Sequence, residues 1–231
     1  MNSFSQFEEN LDQLRADLAE HCRKYGRAVD SVRILPVTKR HPLEAVCFAE
    51  KAGLEAVGEN VVQEAKWKSA EYKGRVEWEL IGHLQSNKAR HAVQLFDRIQ
   101  TVDNHKLLAR LNRIAGEEGK CQRILLQVNT AQDSAKHGLS PSEVDGLVES
   151  ALASENLDLE GFMTIGALSP DPCVAEETFM RLREIRDRLG EVYGKSFPEL
   201  SMGMSGDVEM AVKAGSTMVR VGTALYGERA L

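Results

Sequence analysis

The chain has little cysteine, no basic excess and no long apolar run, and each shortage removes a class of protein. Its four cysteines (Cys22, Cys47, Cys121 and Cys173) are scattered, with no C-x-x-C pair and no metal-ligand spacing. A disulfide scaffold and a zinc ribbon are therefore not expected; four reduced thiols in a cytoplasmic protein are. The formal net charge of −6 argues against a nucleic-acid partner, which calls for a basic face or stripe. It also argues against adhesion to an acidic membrane surface. No stretch reaches the about 20 consecutive apolar residues that a membrane-spanning helix needs. The opening MNSFSQFEENLDQL is acidic and amphipathic, unlike a secretory signal or an Arg-rich transit peptide. No Pro- or Gly-rich linker, fixed-period repeat or low-complexity segment interrupts residues 1–231, which read as one domain. A composition of 42% hydrophobic and 28% charged residues is that of a soluble chain able to bury one sizeable core.

What the sequence does contain is alternation. Phe4, Phe7, Leu11, Leu14, Leu18 and Cys22 lie three or four residues apart, which predicts a leading helix, with Gly26 just past its end. Eight short apolar runs suited to buried parallel strands follow: Val32–Val37, Glu55–Gly58, Val76–Ile81, Arg98–Val102, Arg123–Val128, Leu157–Thr164, Glu199–Met202 and Met218–Val221. Between them lie helical stretches at Pro42–Ala52, Val61–Tyr72, Lys106–Glu118, Ser142–Ala153, Ala175–Leu189 and Val208–Ala214. Strands alternating with helices indicate βαβ units and a parallel sheet. Eight of them in 231 residues predict a closed (β/α)8 TIM barrel with one extra N-terminal helix, an open doubly wound sheet being the alternative.

In such barrels chemistry sits where strands end and the following loops begin. Lys39 follows ILPVT and so emerges from the first strand. Most lysines decorate surfaces; here an apolar run holds the stem at the barrel mouth. A free lysine amine has a pKa of about 10.4, and imine chemistry needs the neutral form, which desolvation favours. Near the other end, SMGMSGD follows the seventh strand and VRVGTALYG contains the end of the eighth. Loops after strands 7 and 8 commonly hold phosphate in this fold. Ser205 and Thr223 offer hydroxyls there, while Gly203, Gly206 and Gly222 let backbone approach an anion, or else simply make tight turns. Arg220, near the end of the last strand, can clamp a phosphate, form a structural ion pair or face a ring nitrogen.

His83 in IGHLQSNK and His137 in SAKHGL are more often structural residues than catalysts when they stand alone. Glu59, Asp103 and Asp207 can orient hydrogen bonds, and nothing in their spacing demands acid–base catalysis. H-E-x-x-H, G-x-S-x-G, G-x-G-x-x-G and Walker patterns are all absent, so no catalytic residue and no metal site is assigned.

Taken together and in order, the stretches LPVTKRHP, VGENVVQE, WELIGHLQSNK, LQVNT with KHGL, GFMTIG, LSMGMSGD and AGSTMVRVGTALYGER resemble the pyridoxal-phosphate homeostasis proteins. Their barrel is similar to the N-terminal domain of alanine racemase. The resemblance implies pyridoxal 5′-phosphate (PLP) held as an internal aldimine on Lys39. It implies phosphate contacts around Ser205, Gly222 and Thr223, a ring-nitrogen partner at Arg220, and wall positions at Asn60, His83 and Met163. It also implies a role in vitamin B6 balance, with PLP-dependent apoenzymes as possible recipients and no dedicated reaction. The sequence departs from the family at Pro36-Val37-Thr38-Lys39, where A-V-S-K is frequent, at Glu79, where histidine is frequent, and at Tyr226, often phenylalanine. None of these removes a group that the imine needs.

Two enzyme readings compete. An amino-acid racemase needs a base on each face of the substrate α-carbon, and racemases take the second, a tyrosine, from a further β-rich domain of a partner subunit. No such domain is expected after Leu231, which also favours a monomer, and Tyr226 is the one tyrosine near the rim. A Schiff-base aldolase would use Lys39 without PLP.

Overall fold

The computed structural model describes residues 1–227 except 134, 168 and 170. Its parallel strands are β1 (Arg33–Pro36), β2 (Ala56–Glu59), β3 (Glu77–Leu80), β4 (Arg98–Val102), β5 (Gln122–Gln127), β6 (Leu157–Met163), β7 (Glu199–Ser201) and β8 (Met218–Val221). They form one eight-stranded sheet in which sequence neighbours pair and β1 pairs with β8. The ring closes between β1 and β2 through a Val37–Gly58 bridge, where the Thr38 N–H donates to the Gly58 carbonyl at 3.0 Å. The closed barrel, not the open sheet, is the architecture.

β1, β3, β5, β6 and β7 end one residue earlier than their apolar runs, β4 and β8 end with them, and β2 ends one residue later. Val37 and Val128 pair only as isolated bridges, because the backbone already bends into the loops there. Helices α1 (Phe4–Lys24), α2 (Glu44–Lys51), α3 (Val62–Glu71), α4 (Ala89–Leu95), α5 (His105–Glu117), α6 (Val144–Leu152), α7 (Pro172–Tyr193), α8 (Val208–Lys213) and α9 (Thr223–Tyr226) lie outside the strands. Sequence periodicity misses α4: its seven residues bury only Ala89, Ala92 and Val93, too small and too few to mark an apolar stripe. The four-residue α9 is too short to show any period.

Helix α1 starts at Ser3, whose hydroxyl accepts from the Gln6 N–H, and buries Phe7, Leu11, Leu14, Leu18 and Cys22. That face packs against α8 and α9. Phe7 stacks on Tyr226 with ring centroids 5.0 Å apart, and Asn10 donates to the Leu225 carbonyl at 3.1 Å. The extra helix thus braces the segment that follows Gly222. No helix among the described residues is long and apolar enough to cross a membrane, and the four cysteines are unbridged.

The barrel interior is unusually polar for a fold whose axis is normally packed with Val, Ile and Leu. Arg98 lies 2.6 Å from Glu160, 3.4 Å from Glu79 and 3.7 Å from Glu199. Glu199 in turn takes Arg33 at 2.8 Å. Buried charges persist only when paired in this way.

Candidate functional site

A cavity of about 300 Å³ opens at the C-terminal ends of the strands, the face where (β/α)8 barrels carry their sites. Lys39, Asn60, Ser205, Arg220, Gly222 and Thr223 line it, with Val37, Ile81, Ile165, Met204 and Gly206. Six of the eight residues expected from the sequence therefore meet around one cavity. The other two do not. Met163 is fully buried in the barrel wall, and His83 stands on the exposed rim with its ring stacked on His137. Of the apolar lining, Val37, Ile81 and Ile165 were not foreseen; Val37 could have been, since a residue two before Lys39 shares its face of an extended chain.

Lys39 is half-buried, and the backbone on both sides of it is fixed from below. The buried Lys68 ammonium donates to the Thr38 carbonyl at 2.7 Å, to Glu59 at 2.6 Å and to Glu64 at 2.8 Å. The Thr38 hydroxyl donates to the same Glu59 oxygen at 2.7 Å, and the Arg40 N–H donates to Glu64 at 2.6 Å. Arg40 turns the chain with φ 59°, a left-handed conformation that needs such support in a non-glycine residue. A two-carboxylate, one-ammonium cluster thereby sets where the Lys39 stem leaves the barrel.

On the opposite wall the fork of Arg220 is locked. Its Nη1 donates to the Ser201 hydroxyl at 2.8 Å and its Nη2 to the Thr164 carbonyl at 2.8 Å. The Ser201 hydroxyl donates to Gln100 Oε1 at 2.6 Å, and Gln100 Nε2 donates to Glu79 at 2.5 Å. All four side chains are buried, so this chain runs from the cavity down the barrel axis. Burial lowers the Arg220 pKa to about 10, opposed by Asp207 and Glu79. The guanidinium remains cationic at neutral pH. Burial likewise raises Glu79, against the pull of Arg98 and Gln100.

The third wall is the turn after β7. Gly203 adopts φ +99°, and a Cβ there would lie 2.5 Å from Ala211, so only glycine suits the close approach of turn and α8. Asp207 accepts the Met204 N–H at 2.5 Å and pins the turn that presents Ser205 and Gly206.

Tyr226 is not on the cavity. Its ring is fully buried and its hydroxyl donates to the Ala45 carbonyl at 3.0 Å. Burial raises its pKa far above the ordinary phenol range. Among the described residues no tyrosine lines the cavity. Glu228 and Arg229, which end the last quoted motif, lie outside the described residues.

Comparison with known proteins places this architecture. The alanine racemase N-terminal domain family matches residues 10–230. The pyridoxal phosphate homeostasis protein of Vibrio alginolyticus is 39% identical, over 97% of this chain and 98% of its own. PipY of Synechococcus elongatus, solved with PLP bound, superposes with a TM-score of 0.85 at 36% identity, covering 96% of this chain and all of that one. An alanine racemase of Clostridium difficile shares the fold alone, with a TM-score of 0.80 at 16% identity, and this chain spans 57% of its length. Matched nearly end to end in this way, the chain belongs to the alanine racemase N-terminal domain family, among the pyridoxal phosphate homeostasis proteins.

Proposed function

We propose that this protein binds PLP covalently through Lys39 and serves intracellular PLP homeostasis, without a dedicated reaction. One observation carries the reading: an amine, a buried cation and a hydroxyl-bearing glycine turn converge on one cavity of about 300 Å³. That volume is at the lower end of small-molecule sites, about 300–1,000 Å³. PLP, when bound, supplies an aldehyde that condenses with a primary amine and a ring that withdraws electrons.

The residues present fit that group. Lys39 would hold the aldehyde carbon, its stem directed by the Thr38–Lys68 clamp. Ser205, Gly222 and Thr223 would hold the phosphate, on the two turns that Asp207 and α1 respectively brace. Arg220 would face the ring nitrogen. A guanidinium gives up no proton at neutral pH, so Arg220 would leave that nitrogen unprotonated and the ring a weak electron sink. Asn60 and Ile81 would flank the ring, with Met163 behind that wall and His83 at the rim.

A racemase reading needs a second base opposite Lys39. Among the described residues no tyrosine lines the cavity, and Tyr226 donates its proton to the Ala45 carbonyl. A pool of bound aldehyde exchangeable with free amines, and released to PLP-dependent apoenzymes in the cytoplasm, suits the site better.

The experiment is borohydride reduction of the protein loaded with PLP, followed by peptide mass spectrometry. The expected result is one added pyridoxyl phosphate on Lys39, absent in Lys39→Ala. A label elsewhere, or a colourless protein that cannot be loaded, rejects the reading and favours a PLP-free Schiff-base enzyme. Rapid α-deuterium exchange of alanine with inversion in D2O would restore the racemase.

A further inference from the structure

Three potential metal ligands meet on the barrel rim from three consecutive strand ends. His83 follows β3, Asp103 follows β4 directly, and His137 lies on the returning arm of the loop after β5. One ligand atom from each falls within 4.8 Å of the others. His83 Nδ1 is 3.7 Å from Asp103 Oδ2, and the two imidazole rings lie 3.8 Å apart at 10°. We propose that His83, Asp103 and His137 bind a divalent transition-metal ion, zinc being the natural probe.

The three groups are mounted rather than merely adjacent. The Thr101 hydroxyl on β4 donates to the carbonyl of Gly82, immediately before His83, at 2.9 Å. Gln127 at the end of β5 donates to the His137 carbonyl at 3.0 Å. Asn104 donates to Asp103 Oδ1 at 2.7 Å, which leaves Oδ2 on the histidine side. Such outer partners orient a ligand set before the ion arrives.

Ligand chemistry selects the ion class. Two imidazoles and one carboxylate suit zinc, nickel, copper or iron, whereas magnesium and calcium prefer all-oxygen shells. Zinc takes nitrogen and oxygen at about 2.0–2.2 Å, so tetrahedral ligand atoms sit roughly 3.4 Å apart. Closing to that spacing requires one stacked ring to turn until both nitrogens aim at one point. Both rings are exposed, and the outer torsion of histidine is broad, so the turn costs little. Three protein ligands leave an open coordination position for water or an anion. The ion would sit on the rim beside the Lys39 cavity, with His83 between the two.

The test is a zinc titration of the purified, reduced protein by calorimetry, against His137→Ala, Asp103→Asn and the remote control His91→Ala. Copper-loaded protein, read by electron paramagnetic resonance, counts nitrogen ligands. The expected result is one ion per chain, at least tenfold weaker binding in the two site variants, no change in the control and two imidazole nitrogens on copper. Should His137→Ala misfold, His137→Gln replaces it. No saturable binding, or binding unchanged by the site variants, overturns the proposal.

Discussion

Lys68 and Glu59 form a fully buried ion pair, Nζ to Oε1 2.6 Å, directly beneath the peptide that carries Lys39. Breaking a buried pair from one side leaves the other charge uncompensated. Lys68→Met is expected to cost about 3–5 kcal/mol in urea unfolding at neutral pH. A loss of about 1 kcal/mol or less, the range of a solvent-exposed pair, would contradict a clamp. The same variant should load PLP more slowly, because Thr38 and Glu59 lose their common anchor.

Arg220 ends a buried chain through Ser201 and Gln100 to Glu79. Arg220→Glu is expected to shift the absorption band of the PLP-loaded protein and raise side reactivity with amino acids; an unchanged band rules out the ring contact. Ser201→Ala strands Arg220 Nη1 and is expected to cost about 1–3 kcal/mol.

Phe7 stacks on Tyr226 beneath the segment that carries Gly222 and Thr223. Phe7→Ala should destabilise the protein by about 3–5 kcal/mol, as for other buried phenylalanines. At temperatures where the variant stays folded, PLP should dissociate faster after Lys39 is also replaced, since only the phosphate turn then retains it. Equal dissociation rates with and without Phe7→Ala would show that α1 does not support that turn.

Glu79 has its pKa raised from 4.5 by burial. Between the ordinary and the raised value the folded state binds the proton more tightly than the unfolded state. The contribution is therefore fully stabilising below about 4.5 and declines as pH climbs through the raised value. Glu79→Gln keeps the shape without the titration, and the urea midpoint of that variant should fall less than that of the parent as pH rises above about 4.5. Identical slopes would remove Glu79 as the source.

Much of the fold was legible because its signals are local. An apolar run followed by a helical period repeats along the chain, and Lys39 closes the first run. Strand-end logic then placed Ser205, Arg220, Gly222 and Thr223 on the cavity without knowledge of any contact, and the family resemblance added Asn60. Met163, which the resemblance put on the wall, is the last residue of β6 and is fully buried. Periodicity gave no sign of α4, whose small buried residues carry almost no periodic signal.

By itself, then, the sequence determined the order of strands and helices, the amine at the first strand end and the glycine turns near the last two. Only the closed barrel decided that Glu79, Gln100, Ser201 and Arg220 share one axis, that Lys68 turns inward from a helix that reads as polar, and that His83 meets Asp103 and His137. The reason is physical. Periodicity is written over a few residues, whereas these contacts join positions from nine to 101 apart, and they depend on register, where a slip of one residue turns every side chain to the other face.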